Sequence, residues 1–241
     1  MLSKNPRDTL LALLFCAAQF LCIASGQLAM SFLHQKGVNG FKHEDDFGNV
    51  LLATLSFQGA TWILIPIYLR LRRVRWRDAF GLSAKKVFLS LGLAPAVLVV
   101  VLPAAGTLQW VTARVMTVLH WKTQQETAVE LFLTSAWWPT GMYLAVFAVV
   151  LAPVAEEFIF RGVLFPLLKA HGYYKSAWIG VSLLFAFIHG DAAIFPALFV
   201  LALALTWLYQ TTGGLLAPIM AHSLFNAANL AVFYLANTRG G

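Results

Sequence analysis

The sequence predicts an all-α protein, a polytopic transmembrane helix bundle of about seven spans with one further interfacial or re-entrant helix. Hydrophobic residues make up 60% of the 241 and charged residues only 11%, a balance suited to a surface that faces lipid. The apolar stretches are long enough to cross hydrocarbon, which takes about 20 residues. They are also continuous rather than alternating, which argues against barrel strands, the other structure that satisfies every backbone group in lipid.

The first stretch, residues 9 to 33, follows Lys4 and Arg7. It is longer than a signal h-region and carries no clear cleavage site, so it is expected to stay as an anchor. Cys16 and Cys22 lie within it without metal-type spacing and read as small apolar residues. A polar loop from 34 to 47 leads to the second span, 48 to 69. A basic segment holding Arg70, Arg72, Arg73, Arg75, Arg77, Lys85 and Lys86 leads to the third, 87 to 113. Residues 123 to 137 set Gln124, Gln125, Glu126 and Glu130 against Val129, Phe132, Leu133 and Trp137, the pattern of a helix at the interface or re-entering it. Stretches 140 to 168, 176 to 190, 194 to 211 and 214 to 236 complete the set, the fifth and sixth being short. No repeat, low-complexity tract or linker divides the chain, so residues 1–241 read as a single membrane domain.

The net charge of +7 does not point to nucleic acid, because it gathers in one short loop between spans, where it sets topology and meets anionic lipid. With the N-terminus cytoplasmic, eleven basic residues fall on the inner side and five on the other, which places the C-terminus outside. The expected location is the cell membrane.

Few strongly polar groups remain within the spans: Glu156, Glu157 and Arg161 in the fourth, His189 at the end of the fifth, and His222 with Asn226 in the seventh. A charged group at bilayer depth costs at least about 2.5 kcal/mol, so each is a functional candidate by default. Counted from the turns at about 1.5 Å per residue, Glu156 and His189 lie about 20 Å from the same turn and His222 and Asn226 about 13 to 20 Å from the same side. The four share a layer, expected nearer the cytoplasmic side. Glu157 and Arg161, four apart, can pair, while Glu156 points elsewhere and stays available as a general base. Pro153 removes a hydrogen bond to the Val149 carbonyl and is expected to kink the span and make room for water.

Glu156-Glu157-Phe158-Ile159-Phe160-Arg161, Phe185-Ala186-Phe187-Ile188-His189 and His222-Ser223-Leu224-Phe225-Asn226 resemble the EExxxR, FxxxH and HxxxN motifs of the CPBP family of intramembrane proteases. That group includes the type II CAAX prenyl endopeptidases and bacteriocin-immunity-like membrane proteins. The resemblance covers a core of about 140–230. It implies that Glu156 and His189 activate water for peptide hydrolysis, that His222 and Asn226 stabilise the oxyanion, and that Glu157 and Arg161 support the site structurally. The implied partners are the bilayer and a membrane-associated or lipidated, CAAX-like polypeptide.

Glu156, His189 and His222 also match the ligand chemistry of catalytic zinc, although no HExxH spacing is present. The family analogy favours a glutamate-activated water that needs no cofactor, with zinc the alternative. A non-catalytic membrane protein that binds or sequesters a peptide would need the cavity but not the water. A proton-coupled transporter would show inverted repeats, and none is visible.

Overall fold

A computed structural model describes residues 5–43, 46–121 and 138–240. The amphipathic segment expected at 123–137, and the interfacial or re-entrant helix read there, lie outside the described residues. Helix α1 is Pro6–Gln35, started by Asn5, whose side chain accepts the Arg7 N–H at 3.0 Å. The loop after it is closed by Asp46, which accepts the N–H of Lys42 at 2.7 Å and of His43 at 3.0 Å. The His43 bond first, and then the Lys42 bond, hold its carboxyl below the usual carboxylate range. Helix α2 is Phe47–Leu71, then come α3 (Trp76–Phe80) and α4 (Ala84–Val118). Helix α5 runs from Trp138 to Ala170 in consecutive segments, α6 is Tyr174–Ile188, α7 is Phe195–Thr212 and α8 is Leu216–Gly240.

The chain is a multi-pass membrane protein, all helical among the described residues. Among the described residues six helices are long and apolar enough to cross a membrane, and α6, at 15 residues, is a shorter apolar helix. Phe20, Leu28, Phe88 and Val99 are between 69% and 75% exposed, which suits contact with lipid tails and would be costly in water. Inside, α4 packs along α7 and α8, α6 and α8 each lie against α7, and α1 lies against α2. Phe15 of α1, Tyr68 of α2 and Phe158 of α5 join the two halves through ring contacts of 5.2 to 5.9 Å, geometry that adds about 0.5–1.5 kcal/mol per pair beyond burial.

Two turns meet at the end of the bundle that carries the basic residues. Gly81 has φ +70°, and a Cβ on Gly214 would stand 2.6 Å from the Gly81 Cα; Lys86 Nζ donates to the Gly213 carbonyl at 2.6 Å. Only glycine allows this approach. Gly214→Ala is therefore expected to lower stability by about 2 kcal/mol or more through steric overlap, measured as a drop in the melting temperature of the detergent-solubilised protein, while Gly172→Ala in an open turn loses only the left-handed backbone term of about 1–2 kcal/mol.

Helix α5 is the most irregular of the described helices. Two stretches of it, Phe147–Leu151 and Phe158–Leu164, are π-helical, and such bulges are frequent at functional sites. The sequence predicts that Pro153 deprives the Val149 carbonyl of a donor. The π register moves the gap by one residue: the Ala152 N–H reaches back to Phe147, and Pro153 has no N–H to offer Ala148 in turn. The orphaned carbonyl is thus that of Ala148, and it faces the site.

Candidate active site

The polar residues singled out from the sequence collect around one cavity of about 590 Å³. On α5, Leu144, Ala148, Ala152 and Glu156 line it at intervals of four. The two alanines leave space in front of the carboxylate. His189 stands at the C-terminal end of α6, and His222 and Asn226 come from α8. Glu156, Glu157, Arg161 and His222 are all buried.

Glu157 and Arg161 pair as their spacing predicts, Nη1 to Oε1 at 2.9 Å with both side chains fully buried. The rest of the guanidinium is also engaged: Nη2 donates to the Ala202 carbonyl at 2.8 Å and Nε to Thr206 Oγ1 at 3.2 Å. Two residues of α7 that carry no motif thereby complete the ion pair, which in a dry interior is stable only when its hydrogen bonds are satisfied. Phe185 fills the centre, with its ring 5.0 Å from the Arg161 carbon, 4.8 Å from His189 and 5.6 Å from His222. It holds the two imidazoles apart.

His222 ties the two glutamates together. Its Nδ1 donates to Glu157 Oε1 at 3.0 Å, and its Nε2 lies 3.9 Å from Glu156 Oε2. The expectation that Glu156 and Glu157 point apart thus needs refinement: they reach opposite edges of one ring. His189 donates from Nδ1 to the Phe185 carbonyl at 2.7 Å. That bond sets the tautomer and leaves Nε2 as an acceptor when the ring is neutral. Asn226 donates through Nδ2 to the Ala148 carbonyl at 2.8 Å, the acceptor that the π register and Pro153 leave open. One amide proton of Asn226 is therefore committed to holding α5, and one remains for a ligand.

The zinc reading of Glu156, His189 and His222 finds no support in this arrangement: among the described residues no three His, Cys, Asp or Glu side chains are grouped to hold a metal ion.

The cavity extends along the bundle rather than lying in one layer. Its lining runs from His222 and Asn226, in the first half of α8, to Val50 and Thr54 at the start of α2, Gln109 in the second half of α4 and Phe233 in the second half of α8, and the last four lie toward the ends remote from the Arg70–Lys86 cluster. Helix α6 spans 15 residues, about 22 Å, which puts His189 at its end remote from that cluster.

Three motifs converging on one cavity carry the family signal into space, and comparison with known families agrees. Residues 136–228 match the Rce1-like family. The family model is described as type II CAAX prenyl endopeptidase Rce1-like, and the match accords with the CPBP resemblance of the three motifs. It covers α5 to the first half of α8 and leaves α1 to α4 outside. No curated protein and no solved structure matches the chain. Within the Rce1-like segment, motif spacing did not reveal Ala202, Thr206 or the Ala148 carbonyl, because backbone acceptors and a lone threonine on another helix leave no pattern. Gln58, Gln109 and Asn229 also line the cavity. They are legible in the sequence as polar residues within apolar spans, but being uncharged they carry a weaker signal there than ionisable groups do.

Proposed function

We propose that the protein is an intramembrane endopeptidase that hydrolyses a peptide bond of a membrane-associated or lipidated, CAAX-like polypeptide. The observation that carries this reading is the placement of Glu156, His189, His222 and Asn226 on one cavity at membrane depth, within the segment that matches the Rce1-like family. Glu156 and His189 Nε2 both accept hydrogen bonds from one water, which turns its lone pair toward the scissile carbonyl. Glu156 accepts one proton as the oxygen attacks, and passes it to the amide nitrogen as the C–N bond breaks. The free amide proton of Asn226 faces the developing oxyanion. His222 joins it through Nε2 when the ring carries both protons. Glu157 and Arg161 act by positioning His222. The N-terminus is assigned to the cytoplasmic side of the cell membrane on the basic cluster alone.

Hydrolysis of fluorogenic peptides by the purified protein tests the reading. One peptide carries a farnesylated C-terminal CAAX sequence and another is an unprenylated membrane-spanning segment. Cleavage of either, retained in the presence of a zinc chelator, is expected. Loss on chelation would overturn the metal-free water, and no cleavage of any peptide would favour the sequestering, immunity-type alternative.

A further inference from the structure

The wall of the cavity that faces the Rce1-like segment is built by α2 and α4, from the half of the chain that carries no family motif. Val50, Thr54 and Gln58 line it at intervals of four along α2, and Gln109 and Ala113 do the same on α4. An α-helix overshoots a full turn by about 40° every four residues, so such a stripe drifts off its face. The π-helical stretch Leu55–Gly59 is wider in turn and counters that drift, keeping Gln58 on the cavity. Both glutamines are half-buried, and neither carboxamide hydrogen-bonds another described residue.

Gln19 shows what a structural amide looks like in this bundle. It is buried, donates to the Phe57 carbonyl at 2.8 Å and accepts from Thr61 Oγ1 at 3.1 Å. The cavity asparagines are likewise engaged, Asn226 with the Ala148 carbonyl and Asn229 with the Phe225 carbonyl at 3.1 Å. Gln58 and Gln109 alone among these four cavity amides keep every donor and acceptor open. Unpaired polar groups at membrane depth are costly, and retaining two of them on a cavity indicates that something in the cavity pairs with them.

Hydrolysis requires an extended substrate, because a helix hides its carbonyls. Unwinding exposes main-chain N–H and C=O groups that hydrocarbon cannot satisfy. A carboxamide carries both a donor and an acceptor and matches a peptide unit in both, without the desolvation cost of a charged side chain. We infer that Gln58 and Gln109 form a substrate-binding subsite that hydrogen-bonds the main chain of an unwound polypeptide segment and holds its scissile bond against Glu156. The inference rests on the endopeptidase reading and adds to it: the unmatched half of the chain contributes the register of the substrate.

The test is the double substitution Gln58→Leu/Gln109→Leu, near in size and in helix propensity, with two readouts. In the cleaving protein KM for the fluorogenic peptides is expected to rise about tenfold or more with kcat changed much less, since two net hydrogen bonds are lost. In the Glu156→Gln background, anisotropy of the same dye-labelled peptides is expected to show a matching loss of affinity, and a peptide with an ester in place of one amide flanking the scissile bond should bind weakly to the parent and lose little more in the double variant. A fall in kcat at unchanged KM and affinity would make the glutamines a route for water and overturn the subsite. Unaltered kinetics and binding would overturn it too. Cleavage by no protein, with binding that still depends on the glutamines, would leave the subsite standing and remove the endopeptidase reading. Failure of the Glu156→Gln protein to bind any peptide would remove both.

Discussion

Glu156→Gln is expected to abolish peptide cleavage while leaving the fold intact. A general base contributes about 10²–10⁴-fold to a rate, and glutamine cannot accept the proton of water, so kcat should fall by at least about 10²-fold. The substitution is isosteric. The Glu156 carboxylate lies 3.9 Å from His222 Nε2, beyond hydrogen-bond range, so no bond that holds the bundle is lost. The melting temperature in detergent should hold or rise, because a buried carboxylate is replaced by a neutral amide. Unchanged cleavage by a well-folded Glu156→Gln protein would eliminate Glu156 as the base. A sequestering protein would keep its biological effect in that variant, which separates the two functional readings in one experiment.

The largest effect on stability is expected from Arg161→Leu. The guanidinium is fully buried and bonded to Glu157, Thr206 and the Ala202 carbonyl, and it packs 5.0 Å from the Phe185 ring. Removing it strands the Glu157 carboxylate in the interior, which costs about 3–5 kcal/mol for a broken buried pair. Adding Glu157→Leu removes the stranded charge, and the double variant should recover more than half of that loss. Thr206 stays satisfied throughout, since its hydroxyl also donates to the Ala202 carbonyl at 2.9 Å. Cleavage should not return with stability, because Nδ1 of His222 has lost its acceptor. Stability and cleavage recovering together would show that Glu157 does not position His222.

The two experiments separate roles that are adjacent in the chain. Glu156 and Glu157 share a helix turn and a histidine, yet one faces the cavity and the other is closed off with Arg161. Chemistry requires a group that water and substrate can reach, and positioning requires one that they cannot.

Much of this was legible without coordinates. Apolar stretches of membrane length and the scarcity of charge determine an all-helical membrane bundle, because hydrocarbon leaves the backbone no other partners than its own. The i, i+4 spacing determines the Glu157–Arg161 pair, a local consequence of helical geometry. The cost of ionisable groups in lipid singles out Glu156, His189 and His222. What only the tertiary structure decided depends on contacts between distant helices. It set the end of the bundle to which the cavity extends, since the short α6 brings His189 to its far end. It also set the register of α5, where a π bulge passes the orphan carbonyl from Val149 to Ala148 and assigns half of Asn226 to it. Last, it brought Gln58 and Gln109, from helices without a motif, to line the same cavity as Glu156. Periodicity reports which face of a helix is apolar, but the partner of that face is chosen by packing among all of them.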